Sequence, residues 1–278
     1  MKKIAWLGLG LIGLPMATRL AAAGWKVAGY DIDAGRLKLA SQRGIATASS
    51  AASALEGAQF VFTSMPNEAV FVEVLSELDT RATVIDTSTV GPEASSKVAA
   101  ALRKVEVAYL RAPISGSIGH AESGQLTTFV SGPRGAFDAA VEAFKAYTRA
   151  QFWVGEGEEA RYAKLAVNLM VAVTAGMMKE ALALGTQGGI SWEKMLELIG
   201  ESVVASPVVK YKLDPVRRHD YTPTATTSLV LKDVDLMVAA AKAEGLELPL
   251  VAAMQKLFRR AGEQGLAARD FFSVVEMD

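Results

Sequence analysis

Between Lys3 and Gly24 the chain sets an apolar run, KIAWL, directly against GLGLIG and then against PMATRLAAAG. A five-residue apolar run bounded by glycine fits a buried parallel strand, and the alanine- and leucine-rich stretch after it fits a helix. Strand, glycine turn and helix in this order leave few folds open, because each glycine of the G-x-G-x-x-G spacing has its own job. Gly8 allows the tight turn, Gly10 lets the backbone approach a pyrophosphate, and Gly13 lets the helix pack closely on the strand. With Leu9, Leu11 and Ile12 between them, they form a predicted dinucleotide cradle, its phosphates facing the N–H groups at the helix start.

The unit then repeats. Lys26 to Tyr30 reads as a second strand ending in Asp31, where an acid can accept hydrogen bonds from the adenosine ribose. A carboxylate there repels the 2′-phosphate of NADP, so the expected cofactor is NAD rather than NADP. Asp31-Ile32-Asp33 also suits a cap for a helix starting near Ala34. Gln59 to Thr63 leads into Pro66-Asn67-Glu68 and a helix to Leu78, and Thr83 to Asp86 leads into TSTVGPEAS and a helix to Lys104. Such alternation predicts an α/β fold with an N-terminal Rossmann-type, doubly wound parallel sheet. Ligands of these sheets lie beyond the carboxyl ends of the strands, which puts Met65, Pro66, Ser88 and Thr89 beside the cofactor. A strand over Val105 to Leu110 is expected to run into RAPISGSIGHAESGQL, read as a loop. Gly116, Gly119, Gly124 and Gly132 there suit either an ordinary surface loop or a nest of N–H groups for a carboxylate. Strands over Thr127 to Ser131 and Phe152 to Val154, with a helix around Ala136 to Thr148, complete a domain over residues 1–157.

Ala160 to Gln187 contains no proline and is rich in Ala, Leu and Met. It is expected to form one helix of roughly 40 Å at 1.5 Å per residue. Apolar residues on nearly every face from Leu165 to Met178 mark a helix buried between two bodies, an interdomain helix over 158–187. Lys164 and Asn168 interrupt that run four residues apart, so they share one face and could reach one small ligand. A snorkelling lysine beside a satisfied core asparagine is the other account of them. Residues 188–278 read as helices only, over Ser191 to Gly200, Leu229 to Glu244 and Leu250 to Gln264, giving an all-α C-terminal domain.

Composition removes other classes. A formal net charge of −1 argues against global attraction to nucleic acid or an anionic membrane. There is no cysteine and there are only two histidines, so neither disulfides nor a His/Cys metal site is expected. Two lysines before the first apolar run imitate a signal peptide, but alternate glycines break it, and a cytoplasmic protein is expected. The apolar spine, with few helices to cover it, predicts a homodimer or homotetramer.

Four blocks in order give the chain a resemblance to the β-hydroxyacid dehydrogenase family, which includes 3-hydroxyisobutyrate dehydrogenases, tartronate semialdehyde reductases and succinic semialdehyde or glyoxylate reductases. They are GLGLIG with PMATRL, APISGSIGHAESGQLT, GEGEEARYAKLAVN and LKDVDL, and the closing Arg269-Asp270-Phe271-Phe272-Ser273 is similar too. The resemblance implies that Lys164 is the catalytic lysine, that Asn168 helps hold substrate, and that Ser115, Gly116 and Ser117 grip a substrate carboxylate. It implies cofactor contacts from Met65, Pro66 and Thr89, and from Lys232 near the nicotinamide, although Lys232 also reads as a plain surface charge in a Lys-Asp pair. The implied activity is an NAD-dependent interconversion of a small 3-hydroxy acid and its semialdehyde. Alternatives are an NADP-linked succinic semialdehyde or glyoxylate reductase, an imine reductase, and a catalytically silent NAD-binding scaffold. Imine reductases usually lack a lysine at the spine position. Ile12 stands where methionine is common, Ser117 replaces the usual second glycine, and Arg111 stands where many relatives carry Asp. That cation either recruits a second anionic group or pairs with a carboxylate outside the site.

Overall fold

The computed structural model describes residues 2–277. Its opening run forms β1 (Lys3–Leu7), and α1 (Gly13–Ala22) follows the glycine turn. Ile4 to Leu7 are all buried, as a strand covered on both faces requires. Next come β2 (Lys26–Tyr30), α2 (Ala34–Gln42), β3 (Ala46–Thr47) and α3 (Ala51–Leu55). The last two elements are too short for hydrophobic periodicity to announce, and α3 is held by a reciprocal capping box between Ser50 and Ser53. β4 (Phe60–Thr63) and α4 (Glu68–Ser76) follow, with Asn67 capping α4 by accepting the Val70 N–H. β5 (Thr83–Asp86) then leads to α5 (Pro92–Lys104).

The next strand, β6 (Tyr109–Arg111), is shorter than the expected Val105 to Leu110. α5 runs to Lys104 and Glu106 turns the chain with φ 57°, so extended backbone starts late. The glycine-rich stretch is more ordered than a loop: it holds β7 (Ile114–Ser115) and α6 (Ile118–Ser123), which Gly124 ends in the left-handed conformation. β8 (Leu126–Ser131), α7 (Arg134–Lys145) and β9 (Thr148–Gly155) complete the sheet.

Among the described residues the strand order is β3-β2-β1-β4-β5-β6-β8-β7, with β9 on β8. Pairing is parallel from β3 through β6, the doubly wound core that the alternation predicts. Beyond that parallel core the sheet is mixed, with β8 antiparallel to β6 and β7 and parallel to β9. The span from Ser115 to Leu126 is shorter than the dozen or so residues that a parallel crossover needs, so that connection returns antiparallel. Side chains alternate across β1: Ile4 and Trp6 enter a core with Leu20, Phe62 and Phe144, while Ala5 and Leu7 enter another with Phe71, Val84 and Val98. Trp6 stacks on Phe62 at 5.1 Å, locking β1 to β4 immediately before their functional loops.

α8 (Glu159–Gln187) is a single 29-residue helix, within which the chain divides into two compact units between Lys164 and Leu165. By length and composition α8 could cross a membrane, but Leu165, Ala172, Ala175, Met178 and Leu182 are buried in the second unit's core. Ser191 caps α9 (Trp192–Glu201) by accepting the Lys194 N–H. α10 (Pro207–Arg217) lies where no helix is expected from sequence, Ser206-Pro207 reading as a turn between helices. Pro207 occupies the first turn, where its missing N–H costs nothing, and Pro215 falls in the last turn, where little helix remains to disrupt. α11 (Thr227–Ala243) and α12 (Pro249–Glu263) lie within one residue or two of expectation, and a 3-10 turn spans Phe271–Glu276. Asp270 tethers that turn, accepting from buried Lys212 Nζ at 2.6 Å and from the Thr224 N–H and hydroxyl at 2.9 Å each.

Candidate active site

The glycine turn is closed by contacts that tolerate no side chain. Gly8 donates its N–H to Tyr30 O at 3.0 Å, adopts φ +92°, and would carry any Cβ 2.3 Å from Ser64 O. Gly10 faces open space, with no atom within 4 Å of where its Cβ would stand. The start of α1 has no side-chain cap, so this end of the helix suits an anion. Asp31 lies against the same turn: its Oδ2 accepts the Leu9 N–H at 2.7 Å and its Oδ1 the Asp33 N–H at 2.9 Å. The helix cap is Asp33, which accepts from Gly35 at 2.7 Å. Bare backbone, an uncapped helix start and a carboxylate at the end of β2 together fit a dinucleotide.

Met65 joins this edge through its N–H, which donates to Ser88 Oγ at 2.7 Å. Ser88 Oγ in turn donates to Asp86 Oδ1 at 2.6 Å, and the Thr63 hydroxyl reaches the same oxygen at 2.7 Å. The loops after β4 and β5, which carry Met65, Pro66 and Thr89, are therefore stitched to each other. Sequence reading named Ser88 by topology but missed Asp86 and its buried partner Arg161. The available signal was an arginine three residues before Lys164, hence on the same helix face.

Ser115 is paired with Thr127 at the edge of the sheet, and Gly116 turns the chain at φ +138°. Ser117 starts α6, its N–H donating to His120 Nδ1 at 3.2 Å and its Oγ lying 2.8 Å from the same nitrogen. The Ser117 N–H is thus engaged by His120, which removes it from the anion nest read from the glycines. Arg111 takes the second of its two expected roles. It forms an ion pair with Glu158, Nε to Oε1 at 3.0 Å, and its guanidinium lies 4.6 Å from the Tyr109 ring.

Lys164 is only 8% exposed, on the second turn of α8. One turn later Asn168 donates through Nδ2 to Asp233 Oδ2 at 2.8 Å, and Asp233 Oδ1 lies 3.0 Å from Lys232 Nζ. The Lys-Asp pair expected for Lys232 is present, and its aspartate orients the Asn168 amide. The structure thus brings Gly8 to Gly13, Asp31, Met65 and Thr89 together in the first unit, and Asn168 with Lys232 in the second. No cluster of His, Cys, Asp or Glu suited to a metal occurs among the described residues.

Residues 3–155 match the family model described as the NAD binding domain of 6-phosphogluconate dehydrogenase. Residues 158–277 match the model described as NAD-binding of NADP-dependent 3-hydroxyisobutyrate dehydrogenase. An NAD-dependent L-serine dehydrogenase of Pseudomonas aeruginosa is 31% identical, over 99% of this chain and 97% of its own. The glyoxylate/succinic semialdehyde reductase 1 of Arabidopsis thaliana is 25% identical, over 99% of this chain and 97% of its own. A solved Mycobacterium tuberculosis 3-hydroxyisobutyrate dehydrogenase with L-serine is 26% identical with a TM-score of 0.88, covering 99% of this chain and 98% of the other. With both parts matched by dehydrogenase models and its length shared with hydroxyacid dehydrogenases, the chain belongs to the β-hydroxyacid dehydrogenase family, as an oxidoreductase that uses a nicotinamide cofactor.

Proposed function

We propose that this enzyme interconverts a small 3-hydroxy acid and its semialdehyde, with NAD as cofactor and Lys164 as the acid and base. The observation that carries the reading is a nearly buried lysine one helical turn ahead of an asparagine whose amide is oriented, in a chain of this family. L-Serine, named for two of the similar proteins, is itself a 3-hydroxy acid and supports this substrate class. When bound, NAD accepts a hydride from the hydroxyl-bearing carbon or, reduced, returns it to the aldehyde. The residues that hold it are Gly8 to Gly13, Asp31, Met65, Pro66, Thr89 and Lys232. Ser115, Gly116 and Ser117 hold the substrate carboxylate. As a neutral amine, Lys164 takes the hydroxyl proton while the carbonyl forms, and as an ammonium it gives that proton back in the other direction. Asn168 fixes the reacting oxygen or the substrate.

Cofactor choice and substrate class are tested together by a panel of hydroxy acids run with NAD and NADP in parallel. Like-charge repulsion between Asp31 and a 2′-phosphate is worth about 1.4–4 kcal/mol at a partly exposed site, so kcat/KM with NADP is expected to be about 10–10³-fold lower. Asp31→Ser should narrow that gap, and equal efficiency with both cofactors in the parent enzyme would remove the role given to Asp31. A second reading, an NADP-linked semialdehyde or glyoxylate reductase, is favoured by the Arabidopsis relative, and the same panel separates it.

The enzyme is further expected to be a homodimer or homotetramer. Met170, Met177 and Leu184 recur every seven residues along α8 and are 70%, 56% and 78% exposed, a stripe that a second copy would cover. Sedimentation at micromolar concentration should return twice or four times the chain mass of 29.4 kDa. A monomer there would overturn this assembly.

A further inference from the structure

Arg161 has no exposed side-chain surface, and the proton chemistry above makes no use of it. It stands three residues before Lys164 in α8, one turn back on the same face. Its guanidinium spends its donors in four directions. Nε donates to Ser95 Oγ at 3.2 Å, Nη1 to Ser88 O at 2.7 Å, and Nη2 to both Asp86 Oδ2 at 2.6 Å and Tyr109 Oη at 2.8 Å. Its Cζ lies over the Phe71 ring, 5.6 Å from the ring centroid. Asp86 is completed by the Thr63 and Ser88 hydroxyls and the Ser88 N–H, and Ser88 Oγ receives the Met65 N–H. One side chain therefore joins the first turns of α8 to the loop that carries Met65 and the loop that carries Thr89.

Stability alone is a poor reason for such a site, since well-packed apolar side chains of similar volume often replace a buried ion pair at no loss. A planar cation with four fixed partners sets orientation instead, which a point charge cannot do. We propose that Arg161 is a positioning residue: through Asp86 and Ser88 it sets Lys164 relative to the Met65 and Thr89 loops. The inference rests on the reading of Lys164 as the proton carrier.

The test compares Arg161→Lys, Tyr109→Phe, Arg161→Met alone, the apolar pair Arg161→Met with Asp86→Leu, and Lys164→Ala. Turnover, KM, the pH profile of kcat and thermal unfolding are measured for each. Arg161→Lys keeps the charge but loses the fork. A catalytic group misplaced by about 1 Å loses about 10² in rate, so kcat should fall by about that factor with KM changed less than about threefold. The limb of its pH profile set by the lysine should also move. Tyr109→Phe leaves the ion pair in place and should fold whatever becomes of the others, with kcat lowered by about three- to tenfold. The apolar pair should unfold at or above the temperature of Arg161→Met alone and yet remain as slow as Arg161→Lys. If turnover returned together with stability in the apolar pair, or Tyr109→Phe kept full kcat with an unmoved pH profile, the positioning role would be overturned. Near-normal turnover of Lys164→Ala would instead sink the reading beneath it, so the two failures are distinguishable.

Discussion

Replacing Lys164 by Ala is expected to lower kcat by about 10²–10⁴-fold, the range that a positioned acid or base contributes, while NAD affinity stays within about twofold. The second half of this expectation follows from the cradle's own construction. Gly8 is held by Tyr30, its carbonyl by Trp6 Nε1 at 3.0 Å, and Leu9 by Asp31, and none of these contacts passes through Lys164. The first half follows from the proton. Removing it from an alcohol as hydride leaves requires a base at that oxygen, and alanine has none. Lys164→Arg separates charge from proton transfer, because a guanidinium stays protonated at any working pH and cannot act as the base. It should be nearly as slow as the alanine variant. A small primary amine added to Lys164→Ala should restore part of the rate, because the residue is only 8% exposed and its removal leaves space in the protein. Steady-state production of NADH gives all three results, and near-normal turnover in Lys164→Ala would take this residue out of the mechanism.

What the sequence made legible was local. β1, β2 and β5 have the bounds that their apolar runs predict, and α8 begins one residue before Ala160 and ends at Gln187. In each case the deciding information lies within a few residues: a glycine that must turn, an acid or serine that caps, or a long run without proline. Asp33 and Ser191 cap their helices as their positions before the first turn suggest.

What stayed hidden depended on partners far along the chain. The reversal at β8 is a property of the sheet, since an apolar run alone does not state its direction. Arg111 could not be assigned from sequence because its partner, Glu158, lies 47 residues on. Lys232 could be read as a surface charge because nothing local shows that its neighbour Asp233 reaches Asn168, 65 residues away. Arg161 is the extreme case: its partners come from β5, from the loop after it, from α5 and from β6, and in sequence it is one more charge in GEGEEARYAK. α10 stayed hidden for a different reason, since Ser206-Pro207 reads as a turn although Ser206 caps the helix and Pro207 begins it.

Gly13→Ala and Gly10→Ala are expected to fail in opposite ways. A Cβ on Gly13 would stand 2.2 Å from Gly8 O and 3.0 Å from Trp6 Nε1, the two atoms that hydrogen-bond to each other at 3.0 Å to close the turn. Neither is the loose end of a flexible side chain. Gly8 O is backbone already fixed by the strand, and the Trp6 ring is stacked on Phe62. The methyl must therefore push α1 off β1 or break the closing bond, at the upper end of the roughly 1–3 kcal/mol cost of overpacking or beyond it. For a unit of this size a loss of about 3 kcal/mol lowers the melting temperature by about 6–12 °C. At Gly10 the same methyl meets no atom within 4 Å, so melting should move little. On the proposed function that open space receives the pyrophosphate, so NAD affinity should fall by about tenfold or more, each tenfold being about 1.4 kcal/mol. Calorimetric unfolding and NAD titration on both variants separate the two jobs. A Gly10→Ala enzyme that melted early yet bound NAD normally, or a Gly13→Ala enzyme as stable as the parent, would mean that the glycines of this turn do not divide the work between folding and binding.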